Sequence, residues 1–198
     1  MIDYFALLDQ PRAPWLDLEK LKDTYHRKTL QAHPDAQTSH GGADSADATF
    51  ANLNEAYQVL QDPKRRLHHL LSLAGAAPSS TGQTVPKELH DLFPQIGALT
   101  QRTKLLLEEI QATSNALSRS LLKPQILEVQ KETKEVRGKI QSLSDASFEQ
   151  LRQINAAWTR NPAEQIEGVS NLYFAFAYLS RWSTQLDEMI FQLSLYER

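Results

Sequence analysis

The stretch Asp17-Leu18-Glu19-Lys20-Leu21-Lys22-Asp23-Thr24-Tyr25-His26-Arg27-Lys28-Thr29-Leu30-Gln31-Ala32-His33-Pro34-Asp35 decides how this chain is read. Asp17 is a helix-capping residue, and Leu18, Leu21 and Tyr25 fall on one face of the helix it opens. The helix carries a basic surface of Lys20, Lys22, His26, Arg27 and Lys28, diluted by Glu19 and Asp23. Pro34 stops it, because the residue before a proline is pushed out of the α region. His33 and Asp35 are then expected on an exposed loop beside a cationic face. Such a surface suits docking on an acidic partner, with the carboxylate free to meet an arginine. On its own the tripeptide reads more simply as a helix-ending proline between two polar neighbours. Its flanks change that weighting.

Before it, Tyr4 to Leu8 is a short apolar helix ended by the Pro11–Pro14 region. After it, Ala36 to Ala43 is polar, holds Gly41-Gly42 and reads as a loop. Phe50, Leu53, Tyr57 and Leu60 then recur at helical spacing. Asp62-Pro63 supplies a cap followed by proline at the first helical position, and Gly75 is suited to end that fourth helix. The segment 76–86, with Pro78-Ser79-Ser80-Thr81-Gly82, has no apolar period and reads as a linker. Residues 1–75 and 87–198 are therefore expected as two domains.

The second half predicts long helices. One runs from Pro86 to about Leu122, with Pro94 kinking it or resetting its start. Pro124 is expected to begin the next, where Ile126, Val129, Val136, Ile140 and Leu143 fit a heptad with Thr133 filling one slot. Ser147 with Gln150 reads as a capping box, and Asn161-Pro162-Ala163-Glu164 as the clearest helix start in the sequence. Composition agrees with an all-α chain: 29 Leu and 21 Ala stand against 8 Ile and 5 Val.

Composition also removes several classes of function. The 198 residues carry a net charge of -3, which argues against a chain-wide grip on nucleic acid or an anionic membrane. There is no cysteine, hence no disulfide, thiolate metal site or cysteine nucleophile. The N-terminus lacks a signal-peptide pattern and no apolar run is long enough to span a bilayer, so a cytoplasmic protein is expected. Adjacent His68 and His69 diverge on a helix and make a poor metal pair. No phosphate-binding glycine turn, zinc-binding pair or catalytic constellation is present. No cofactor, metal site or enzymatic activity is expected.

The first 75 residues together resemble a J domain, the co-chaperone module that stimulates the ATPase of DnaK-type chaperones. Asp3-Tyr4-Phe5-Ala6-Leu7-Leu8 is similar to its opening helix, and His33-Pro34-Asp35 falls at its signature. Phe50 to Asp62 is similar to its third helix. Pro63-Lys64-Arg65-Arg66-Leu67-His68-His69-Leu70-Leu71-Ser72-Leu73 resembles the fourth helix of the HscB iron–sulfur assembly co-chaperones, and Phe176 to Trp182 is similar to part of their last helix. Three positions depart from the pattern: Ala32 stands where an aromatic residue is common, Ala36 where lysine is common, and Lys28 where the residue is usually apolar.

The resemblance implies roles. Lys22, His26, Arg27 and Lys28 would dock on a DnaK- or HscA-type chaperone, and His33, Pro34 and Asp35 would engage where its two domains meet. Leu92, Phe93, Ile96 and Tyr178 would face a client, an iron–sulfur scaffold protein. An apolar stripe at helical spacing more simply faces a bundle core, and among these Phe93 is the best candidate for an exposed anchor. Two alternatives stay open: an adaptor for an unrelated client, and a helical interaction protein whose J domain no longer signals.

Overall fold

The protein is described by a computed structural model over residues 1–32, 43–78 and 87–196. It is built of helices, and no strand occurs among the described residues. They form two compact units, Met1–Gln83 with Glu149–Tyr173, and Thr84–Phe148 with Phe174–Arg198.

The first unit begins with α1 (Tyr4–Leu7), α2 (Leu18–Ala32), α3 (Ala43–Gln61) and α4 (Pro63–Leu73). Asp3 caps α1 by accepting from the backbone N–H groups of Phe5 and Ala6. Asp62 caps α4 by accepting from the Arg65 N–H at 2.7 Å, with Pro63 at the first helical position as expected. Gly75 ends that helix at φ 71°, a left-handed conformation that glycine takes without strain. α3 packs against α1, α2 and α4. Phe5, Leu8, Leu21, Leu53, Ala56, Leu60, Leu67, Leu70 and Leu71 are all buried. Two residues expected on core faces are not: Leu18, the first residue of α2, is 50% exposed, and Phe50, within α3, is 41% exposed.

Residues Glu149–Tyr173 complete this unit. The Trp158 indole N–H donates to the Arg12 carbonyl at 2.8 Å, and the Asn155 side-chain oxygen accepts from the Trp15 N–H. The unit therefore draws on both sides of the segment expected to divide the chain.

The second unit contains α5 (Lys87–His90), α6 (Leu92–Ala112), most of α7 (Ala116–Trp158) and the later part of α8 (Pro162–Ser194). Three expectations are corrected here. The helix expected to run to Leu122 stops at Ala112, because Thr113, Ser114 and Asn115 all have short polar side chains that compete for the backbone. Pro124 does not begin a helix but lies inside α7, which Asn115 opens by accepting from the Leu117 N–H. Ser147 caps nothing; its hydroxyl donates back to the Leu143 carbonyl in mid-helix.

The heptad explains why α7 runs through its proline. Leu122, Ile126, Val129, Thr133, Val136 and Ile140 are buried along one seam, and Thr133 satisfies its hydroxyl on the Val129 carbonyl. Ile126 and Val129 join Leu106, Ile110, Leu122 and Leu193 in one cluster. Val136 and Ile140 join Leu92, Ile96, Leu99, Leu179, Trp182, Leu186 and Met189 in another. Burying both sides of Pro124 offsets its lost hydrogen bond. Pro94 falls in the first turn of α6, where its missing N–H has no partner to lose.

Candidate functional site

α2 is held against α3 by a tyrosine. The Tyr25 hydroxyl donates to the Asn54 side-chain oxygen at 2.5 Å, and its ring stacks on Tyr57 with centroids 4.3 Å apart. This fixes which surface of α2 faces outward. Lys22 and His26 are exposed one helical turn apart, and the next turn of the same stripe carries Leu30, 73% exposed. That leucine was not expected at the site, because sequence spacing alone does not separate an outer apolar residue from a core one.

Arg27 and Lys28 share a counter-ion. Asp9, in the turn after α1, accepts from the Lys28 ammonium at 2.8 Å and stands 3.6 Å from the Arg27 guanidinium. The Lys28 side chain is 24% exposed and that of Arg27 61%. Asp9 was not singled out from the sequence; only the fold brings it to a helix that starts nine residues later. Beside this cluster lies an open hollow of about 600 Å³ lined by Leu7, Asp9, Arg27, Lys28, Gln31, Ala32, Thr49 and Leu53. Ala32 is the last residue described before the tripeptide. His33, Pro34 and Asp35, the residues expected to carry the function, lie outside the described residues, as does Ala36.

The opening helix is fastened from beneath by His69. The buried His69 Nε2 accepts from the Tyr4 N–H at 3.1 Å, and its ring stacks on Tyr4 at 4.6 Å. Burial holds this imidazole below its ordinary pKa; Asp3 opposes that, while His68 and Arg12 reinforce it. Burial alone would raise the pKa of Asp3. The hydrogen bonds from Arg12 and the Ala6 N–H, the Arg12 charge and the Phe5 N–H together bring it below the usual carboxylate value. His68 is exposed and its ring meets Tyr173 instead. No cluster of three or more metal-binding side chains occurs among the described residues.

The four residues of the second candidate surface separate by burial. Leu92 and Ile96 are each 4% exposed and belong to the core of the second unit. Phe93 is 40% exposed, and it meets Trp182 edge-on at 4.7 Å and Tyr178 at 5.4 Å. Tyr178 is half-buried. Phe93 and Tyr178 thus form a supported aromatic surface, and Leu92 and Ile96 lie under it in the core. No helix among the described residues is long and apolar enough to cross a membrane.

Residues 3–69 match the family model of the DnaJ domain. The chain is 32% identical over 117 residues to the co-chaperone protein HscB of Proteus mirabilis, covering 58% of this chain and 64% of that protein. That alignment is longer than the DnaJ match, so the likeness continues beyond it. The chain is also 32% identical over 99 residues to the chaperone protein DnaJ of Gluconacetobacter diazotrophicus, covering 48% of this chain and 25% of that one. It thus spans less than two thirds of the length of either relative. Among solved structures, the chaperone HscB from Vibrio cholerae superposes with a TM-score of 0.57 at 18% identity, covering 97% of this chain and 99% of that one.

Proposed function

We propose that this chain, which carries a DnaJ domain over residues 3–69 and has the all-helical fold of HscB co-chaperones, stimulates ATP hydrolysis by a DnaK- or HscA-type chaperone and delivers it a client. The observation that carries this reading is the DnaJ match itself, which spans the tripeptide and the cationic helix before it. Lys22, His26, Arg27 and Lys28 dock on an acidic surface of the chaperone. His33, Pro34 and Asp35 engage where its nucleotide and substrate domains meet. The chain breaks no bond; it shifts the partner toward hydrolysis and client capture, in the cytoplasm. A coupling of about 1–3 kcal/mol is enough to change such an equilibrium severalfold or more.

The client is an iron–sulfur scaffold protein, a reading supported by the likeness to HscB that extends past the DnaJ domain. Phe93 is the anchor for it, with Tyr178 beside it, because these two present aromatic surface while Leu92 and Ile96 hold the helix down. Steady-state ATP hydrolysis by the chaperone, measured with the chain and with a scaffold protein added, tests both parts. The expected result is stimulation by the chain that the scaffold increases further. Phe93→Ser should remove the scaffold's increment and leave the chain's own. No stimulation by the chain refutes the co-chaperone reading, and stimulation without a scaffold increment points to a different client.

A further inference from the structure

Among the described residues Asp9 is the one non-glycine residue with a left-handed backbone, at φ 50°. Glycine takes that conformation at no steric cost, whereas a side chain is strained by it, least so for Asp and Asn. The turn itself does not use the carboxylate. It is closed by backbone bonds, from the Asp9 N–H to the Ala6 carbonyl and from the Gln10 N–H to the Phe5 carbonyl. What the aspartate adds is a negative charge set on two neighbouring cations, Lys28 at 2.8 Å and Arg27 at 3.6 Å.

α2 carries four permanent cations, Lys20, Lys22, Arg27 and Lys28. Asp9 takes two of them and Asp17 stands 3.7 Å from Lys20. We infer that Asp9 is a built-in competitor for the docking face, occupying with its own carboxylate the place that an acidic group of the chaperone must take. This rests on the docking reading above. The two contacts differ in the way exchange requires. Arg27 is open to water and loosely held, so an incoming carboxylate can replace Asp9 there. Lys28 is more enclosed and closely held, so it keeps Asp9 beside the site as a returning competitor. The hollow next to the cluster gives the incoming group room to enter without moving a helix.

Exposed ion pairs of this kind are weak, so removing the competitor should act modestly and in the tightening direction. The test is titration of the full chain onto an ATP-loaded DnaK-type chaperone, at low and high salt. Asp9→Asn keeps the shape and tolerates the left-handed backbone, and should bind about two- to fivefold more tightly with a steeper loss of affinity as salt rises. Asp9→Gly should tighten binding to a similar extent while raising the melting temperature, which separates the charge effect from any loss of folding. Arg27→Ala should weaken binding severalfold. If Arg27→Ala weakens binding but neither Asp9 variant tightens it, the competitor role is overturned and the docking face stands. If Arg27→Ala has no effect, or the wild-type chain does not bind, the docking reading fails and the competitor role falls with it.

Discussion

Arg66 carries its charge into a site only 3% exposed, where the hydrogen bonds its guanidinium makes among the described residues go to backbone carbonyls. Its guanidinium donates to the Pro14 carbonyl at 2.9 Å and to the Leu60 carbonyl at 2.6 Å, tying the loop before α2 to the end of α3. Burial pushes its pKa down to about 10, against the pull of Asp62, so it stays charged at neutral pH. Arg66→Ala strands both carbonyls and should cost about 3 kcal/mol in urea unfolding. Arg66→Lys should recover only part of that loss, because an ammonium lacks the planar fork that reaches both acceptors.

His69 predicts a pH dependence. Unfolded, its imidazole binds a proton at about 6.5; folded, it binds one only at lower pH. The unfolded chain then holds more protons, so stability is full above about pH 6.5 and is lost as pH falls through the folded value. Asp3 adds a second loss as pH falls through a folded value below 3.8. Urea midpoints at pH 7.5 and 5.5 should separate for wild type. For His69→Phe they should lie closer together, with the pH 7.5 midpoint lowered because the Tyr4 N–H loses its acceptor. At this scale the caps at Asp62 and Gly75 are legible in sequence because each acts on its nearest neighbours. Asp9, Arg66 and His69 are not, because their partners lie about twenty or more residues away in the chain or are backbone atoms.

Among the elements, α7 departs furthest from expectation. A proline and a Ser-x-x-Gln pattern each signal a helix start, yet both lie inside one helix of 43 residues. Local signals lose here to a seam of buried residues at heptad spacing, which only packing can reward. The same competition predicts how glycines in long helices respond. A methyl group added at Gly138 in α7 meets nothing within 4 Å, so Gly138→Ala should stabilise by about 0.5–1 kcal/mol through helix propensity alone. At Gly168 in α8 the methyl would lie 3.0 Å from the Ile154 side chain, and Gly168→Ala should gain less or lose stability. Paired thermal melts of the two variants check this. α4, by contrast, follows the sequence from its cap to its glycine because no tertiary contact has to override a local preference.

For the molecule as a whole, the all-helical class and the four opening helices follow from residue type and periodicity. The grouping into compact units does not, since residues 149–173 join the first unit through contacts that span more than a hundred residues. Trp158→Phe removes the hydrogen bond to Arg12 and should weaken that unit by about 1 kcal/mol. Hydrogen exchange should then quicken at α2 and α3 amides while Val136 and Ile140 keep their protection. Uniform loss of protection would mean that the two units unfold as one.

The proposed function requires residues 33–35 to act on a chaperone beside the cationic face of α2. Single-turnover ATP hydrolysis by a DnaK-type chaperone, with wild-type chain and with His33→Gln at equal concentration, measures this most directly. The wild type should accelerate hydrolysis severalfold while His33→Gln leaves it near the rate of the chaperone alone. Equal acceleration by the two chains would contradict the account.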